Sequence, residues 1–491
     1  MITAFANTMK VPDLRSRILF TLAMIVIVRL GVHLPLPGVD VEALKNYMDV
    51  QAQKGDNPLG ALGAILTIFS GGGLQQCGIF ALGIMPYISA SIMTQLMGAV
   101  IPSFKKMLRE EGGRQKMTKV TRLLAITIAV IQGYLLTLSL RNPANIGLSG
   151  LGDLVLNPGF IFTTTTIFII VTGTMFLMWI GDQITDRGIG NGVSLIISVN
   201  IISALPGAFA IAWTTLVGSG SEIKPLGALL IVALILFMVL VVALVVTITQ
   251  AQRRIPVQQA KRMVGRKVMN GGTQYLPLKL NYSGVMPVIF ATAILALPVM
   301  VVRQIWGDAS DITHVVNILM SPTDVGYYII SAIMIFFFSY FWVATMFQPQ
   351  QISEDMQRSG SYIPGVRPGQ PTATYLDQTM SRLTFAGSLF LTLIYFLPCL
   401  LSVWGGLNMV VTQFFGGTSL LILVGVLLDV MRQVEATLLQ KNYDGFMKKS
   451  RNRSKYSHLQ GGGAAESSAG LVALWLIIAA FVLTGAVIMA I

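Results

Sequence analysis

His33, His314 and His458 are the three histidines of the 491-residue chain, and each stands alone in its own segment. No nucleophile and base fall at a spacing that would pair them, and no catalytic constellation is legible. The two cysteines, Cys77 and Cys399, are too few and too far apart for a zinc or redox motif, and nothing in the sequence supports a disulfide between them. A phosphate-binding loop of the G-x-x-x-x-G-K-[ST] type is missing, so work that needs ATP would have to come from a partner. The stretch "DRGIGNGVS" (186–194) spaces three glycines like part of a dinucleotide fingerprint. It lacks the later acidic residue and runs straight into an apolar segment, which makes it a tight turn. An enzyme, a metalloprotein and an autonomous ATPase are thereby disfavoured, and no cofactor is expected.

The residues with recognisable binding chemistry are arginines and lysines in two long polar connections. Segment 250–284 carries Arg253, Arg254, Lys261, Arg262, Arg266 and Lys267, and segment 348–382 holds Arg367 between Gly365 and the Pro368–Gly369 pair. A guanidinium group grips phosphate or carboxylate through two parallel hydrogen bonds. Topology alone accounts for the number of these charges, but not for the length of the connections.

The elements that position these groups are apolar helices. Of the residues, 54% are hydrophobic and only 11% charged, against about 25% charged in soluble domains. Uncharged runs recur near 18–34, 79–101, 123–140, 160–180, 193–213, 226–249, 284–302, 326–347, 383–401 and 413–428. Each is near the roughly 17–25 residues that cross a hydrocarbon core. Ten spans are expected. The first could also be read as a secretory signal, since Arg15 and Arg17 precede it, but no small-residue cleavage site follows and a retained helix is expected. With the N-terminus inside, the inner segments hold 28 of the 34 Lys and Arg residues, so both ends of the ten-helix body face the cytoplasm. The net charge of +13 then needs no nucleic-acid partner.

Ion-coupled transporters keep charges inside the membrane, where each costs at least about 2.5–3.5 kcal/mol. Here Arg29, near the outer end of the first run, is the exception, and snorkelling to the headgroups is the simpler account of it. A polytopic solute transporter is the runner-up function; an assembly or insertion factor without a pore comes third.

One element cannot cross. Residues 59–70, "LGALGAILTIFS", place Leu59, Leu62, Ile65, Leu66 and Phe69 on one helical face. At 1.5 Å per residue such a helix is only about 18 Å long. Gly71, Gly72 and Gly73 then permit a change of direction, and a crossing helix follows, with Pro86 expected to kink it. Half-depth backbone is tolerated where protein or a watery cavity surrounds it. Spacing alone leaves open whether 59–70 lies in such a funnel or rests on the membrane surface.

In order along the chain, "FSGGGLQQCGIFALGIMPYISASI", "DRGIGNGVSL", "QRRIPVQQAKR", "LPLKLNYSGVMPVIFA", "SGSYIPGVRPGQPTATYLD" and "FGGTSLLI" resemble the bacterial SecY family of protein-conducting channels, from about residue 12 to about 450. The resemblance implies an all-α polytopic membrane protein of the bacterial cytoplasmic membrane. Its ten helices would form two pseudo-symmetric halves, 1–215 and 216–450, that open like a clamshell. Secretory polypeptides would pass outward, unfolded, and hydrophobic signal segments would leave sideways into membrane lipid. Residues 59–70 then look like a plug hinged at Gly71–Gly73. The positions matching the family's pore ring are Ile84, Ile88, Val193, Ile197, Ile289 and Ile422, with Val193 smaller than the isoleucine frequent there. An apolar ring holds back ions by dewetting and makes no specific bond to a passing chain. Candidate residues of the lateral gate are Ser89, Gln95, Gln132, Thr292 and Leu297, where weak polar bonds could yield to an apolar guest.

The same resemblance makes Arg253, Arg254, Lys261, Arg262 and Arg367 the docking residues for the SecA ATPase or the ribosome. It also implies SecE-like and SecG-like small subunits. The family pattern finishes near the basic tail, whereas this chain runs on through a Gly/Ser/Ala-rich linker within 451–470 into an uncharged run at 471–491. That run is long enough for an eleventh span, serving as a peripheral anchor, as a substitute for a small accessory subunit, or as an appended sequence without a transport role.

Overall fold

In the computed structural model the described residues are 12–40, 42, 70–73, 76–141, 155, 159–218, 227–259, 262–264, 267–269, 272–292, 294–295, 302, 325–405, 409–416 and 418–452. Leu62, Ile65, Leu66, Phe69, Lys261, Leu297, His314, His458 and the run 471–491 lie outside them.

The helices are α1 (Pro12–Val32), α2 (Met85–Val100), α3 (Pro102–Arg109), α4 (Gly113–Arg141), α5 (Phe160–Arg187), α6 (Gly192–Leu216) and α7 (Gly227–Gln250). After a β region come α8 (Val325–Met346), α9 (Pro349–Arg358), α10 (Gln370–Gly405), α11 (Met409–Gly416) and α12 (Thr418–Asn452). Residues 286–292 are helical as well. Among the described residues six helices, α4, α5, α6, α7, α8 and α10, are long and apolar enough to cross a membrane. The protein is a multi-pass membrane protein.

Helices win in apolar runs because lipid offers backbone groups no partner, so each N–H and C=O must be satisfied inside its own segment. Hydroxyls within the runs follow the same rule. Thr94 donates to the Ala90 carbonyl at 2.7 Å, Thr137 to Gly133 at 2.7 Å and Thr392 to Ser388 at 2.8 Å, each one turn back.

One expectation needs correction. The second apolar run does not cross as one kinked helix: residues 78–84 form turns, and α2 begins only at Met85. Pro86 therefore occupies the first turn, where its missing N–H costs nothing, and it does not bend the helix.

The polar connection 250–284 folds as strands. β1 (Gln252–Gln259) pairs antiparallel with β4 (Thr273–Lys279), and β2 (Arg262–Val264) with β3 (Lys267–Met269). The second connection contributes β5 (Ser361–Tyr362) to the other edge of β1, giving the order β4-β1-β5. Ile255 and Val257 alternate inward and join Leu278, Val343, Phe347, Ile363, Leu376 and Met380 in a small core beneath the sheet. The two long connections are thus one packed unit, seated on α8 and α10.

The helices pack in sequence, α4 against α2 and α5, α5 against α6, and α8 against α10. From the first half of the chain, α6 reaches across to α7, α11 and α12.

Candidate functional site

The largest apolar cluster gathers residues from both halves of the chain. Ile84 and Ile88, at and after the start of α2, share it with Ile197 of α6, Ile289 of 286–292 and Ile422 of α12, and Val193 packs against it half-buried. Ile422 is 1% exposed and Ile289 8%. Phe290 and Phe338 add an edge-on aromatic contact, with centroids 5.8 Å apart. All six candidate ring residues are therefore in one apolar body, although they arrive from four separate stretches of sequence.

Asn191 fixes the start of α6. Its side-chain oxygen accepts from Val193 N at 3.1 Å and Ser194 N at 3.3 Å, capping the helix and setting the depth of Val193 and Ile197. Gly192 allows the helix to begin against α5, because a Cβ there would fall on the Gly181 carbonyl oxygen.

The glycine stretch 71–73 forms a tight turn. Gly71 and Gly72 have φ of +66° and +87°, a left-handed conformation that residues with a Cβ resist. The turn closes through Gly73 N to Ser70 O at 3.3 Å and Gln76 N to Gly72 O at 3.1 Å. Downstream, the chain is clipped to the end of α1: Leu36 N donates to Cys77 O at 2.8 Å and Ile79 N to Leu34 O at 2.9 Å. Cys77 is buried with a free thiol, and burial pushes that thiol up to about 12.

Arg29 departs from expectation. It does not simply snorkel; its Nη1 donates to the Gly71 carbonyl oxygen at 3.1 Å. Asn200, buried in α6, crowds the same side of Gly71: a Cβ there would come within 2.5 Å of its Oδ1 and 2.8 Å of Arg29 Nη1. Sequence reasoning missed both residues as neighbours of the glycine turn. The available signal was polarity: a cation and an amide inside apolar runs are functional candidates by default.

Of the candidate gate residues, Ser89 is half-buried and Gln95 exposed on α2, while Gln132 on α4 and Thr292 are buried. Gln95 donates to Ser91 at 3.2 Å and Thr292 to the Ile289 carbonyl at 2.9 Å, both within their own helices. On the sheet, Arg253 and Arg254 are exposed opposite Leu278 and Pro277. Arg262 lies on β2. Arg367 is exposed on a turn whose shape is fixed by Gly365 and Gly369, with φ of +85° and +94°. Its own carbonyl accepts from the Thr372 hydroxyl at 2.8 Å, and Ser353 donates to the Gly369 carbonyl at 2.6 Å. The arginine side chain thus projects from a rigid mount.

A family profile described as SecY matches residues 78–431. The chain is 42% identical over 455 residues to the protein translocase subunit SecY of Streptomyces galbus, covering 91% of this chain and all of that one. Among solved structures it resembles a SecY channel whose plug domain stabilises the closed state and maintains a membrane seal: TM-score 0.57, 19% identity, 86% of this chain and 92% of that one. It also resembles Sec61 in the canine ribosome-channel complex from the endoplasmic reticulum: TM-score 0.54, 18% identity, 87% and 96% covered.

Proposed function

The chain belongs to the SecY family of protein translocase subunits, and from that premise we propose how its own residues form and govern the conduit. Unfolded secretory chains cross the bacterial cytoplasmic membrane through the apolar cluster that holds Ile84, Ile88, Val193, Ile197, Ile289 and Ile422. That gathering of six residues from four separate segments is the observation that carries the reading. A passing chain brings polar backbone that needs room and water, whereas the resting pore must stop ions. Branched apolar side chains that part and re-close meet both demands.

In this reading residues 59–70 plug the outer side and swing on Gly71–Gly73, with Arg29 holding the hinge. The halves 1–215 and 216–450 part between α2 and α4 on one side and 286–292 and α8 on the other. A signal segment gains about 0.3–0.6 kcal/mol per apolar residue on entering lipid, which outweighs the weak polar contacts open to Ser89, Gln95, Gln132 and Thr292, with Leu297 the apolar member of the same seam. The N-terminus and the β4-β1-β5 unit face the cytoplasm, where Arg253, Arg254, Lys261, Arg262 and Arg367 meet SecA or the ribosome. SecE-like and SecG-like subunits complete the assembly, and the driving ATP hydrolysis belongs to SecA.

Site-directed crosslinking of an arrested secretory chain tests this directly. Probes at Ile84, Ile197 and Ile422 should capture the chain, and probes at lipid-facing Phe168 and Leu236 should not. Capture only at the lipid-facing positions would refute a central path.

A further inference from the structure

The glycine-rich turn 188–191 between α5 and α6 is tied down in three directions. Ile189 N donates to Thr21 Oγ1 of α1 at 3.2 Å, and Gly192 N to Thr185 Oγ1 of α5 at 2.9 Å. The third tie crosses 243 positions of sequence: Gly190 N donates to Gln433 Oε1 of α12 at 2.8 Å. Thr21 and Thr185 lie in the first half of the chain, Gln433 in the second.

Only glycine suits position 190. Its φ is +81°, and a Cβ there would come within 2.9 Å of Val430 Cγ2, so the turn sits directly on the surface of α12. Beside the bond lies an open pocket of about 220 Å³, lined by Asn191 and Ser194 at the start of α6, by Val426, Asp429, Val430, Arg432 and Gln433 of α12, and by Lys279 of β4. Polar and apolar side chains both line it, so the joint at this level combines contact on Val430 with hydrogen bonding. The Gly190–Gln433 bond bridges it.

Position along the helices gives the bond leverage. Val193 and Ile197 follow Gly190 by three and seven residues on α6, and Ile422 precedes Gln433 by eleven on α12. At 1.5 Å per residue the bond stands about 16 Å from Ile422 along a continuous helix. Both helices that leave this joint carry residues of the apolar cluster.

We propose that Gln433 is a positioning residue of the conduit: by accepting the Gly190 N–H it latches the two halves and sets the resting spacing of Val193 and Ile197 against Ile422. The inference rests on the channel reading above. Without the acceptor, the halves separate more readily, the pore leaks, and weak signal segments suffice to open it.

The test uses the full chain reconstituted with its small subunits, reading resting ion conductance in planar bilayers and transport of two precursors, one with an intact and one with a weakened signal segment. Gln433→Leu should raise conductance roughly two- to tenfold, the range expected from losing one neutral hydrogen bond, and should pass the weakened precursor. Gln433→Glu keeps a side-chain acceptor and should match the parent in both assays. Gly190→Ala should reproduce the leucine phenotype, and the double variant should leak no more than the leakier single. Parental behaviour of Gln433→Leu and Gly190→Ala, or equal leak from the leucine and glutamate variants, would overturn the latch. Failure of the parent protein itself to transport the intact precursor would instead strike at the channel reading, so the two failures are distinguishable.

Discussion

Arg29 donates from Nη1 to the Gly71 carbonyl oxygen across 3.1 Å, joining the last turn of α1 to the first glycine of the 71–73 turn. The bond holds a backbone position that the left-handed φ of Gly71 makes easy to leave. A charged donor to a carbonyl contributes about 1.5–3 kcal/mol, the lower end applying where the guanidinium is half-buried. Arg29→Met should therefore raise the resting conductance of reconstituted channels several-fold without loss of assembled protein. Arg29→Lys, which keeps the charge but not the planar fork, should fall between. A methionine variant as tight as the parent would mean that the hinge is held by other contacts.

Deleting residues 60–70 should raise resting ion leak in planar bilayers, because in the channel reading these residues seal the outer side, and the deletion also takes away the Ser70 carbonyl that closes the glycine turn. An unchanged conductance would deny these residues a sealing function.

The mount of Arg367 predicts a separation of binding from folding. Its turn is held by backbone and hydroxyl contacts from Thr372 and Ser353, none of which involves the guanidinium. Arg367→Glu should accordingly leave assembly and protease resistance intact and abolish SecA-driven transport of a model precursor into vesicles. Transport at the parental rate would remove Arg367 from the motor interface.

Where one physical force dominates, sequence suffices to read the fold. Lipid forces backbone bonds inward, so six of the expected runs are crossing-length helices, α4 to α8 and α10. It is at glycines and prolines that the boundaries shift, as at Pro86, because those residues decide where a helix starts and apolar content does not. The strands of β1 were also open to reading: Ile255 and Val257 alternate with exposed neighbours, a period of two masked by attention to charge. The direction of Arg29 and the partner of Gly190 were not, since both depend on residues 42 and 243 positions away. The side chains of the candidate plug lie outside the described residues.

Cys77 gives a chemical reading of the packing around the hinge. The thiol precedes α2, is 3% exposed, and is pushed by burial from its ordinary value near 9.0 to about 12. A raised value means less thiolate at any pH below it, and the thiolate is the species that reacts. At pH 8 maleimide should label Cys77 in the folded channel more than about tenfold more slowly than in the detergent-denatured chain. The Cys399→Ser background isolates the signal, because only these two cysteines exist. A precursor arrested in the channel should quicken the labelling if the hinge segment moves away from the end of α1 during transport. Labelling that stays slow with the channel occupied would show that the clip between Leu36 and Cys77 survives opening, and would confine the motion to the residues before Gly73.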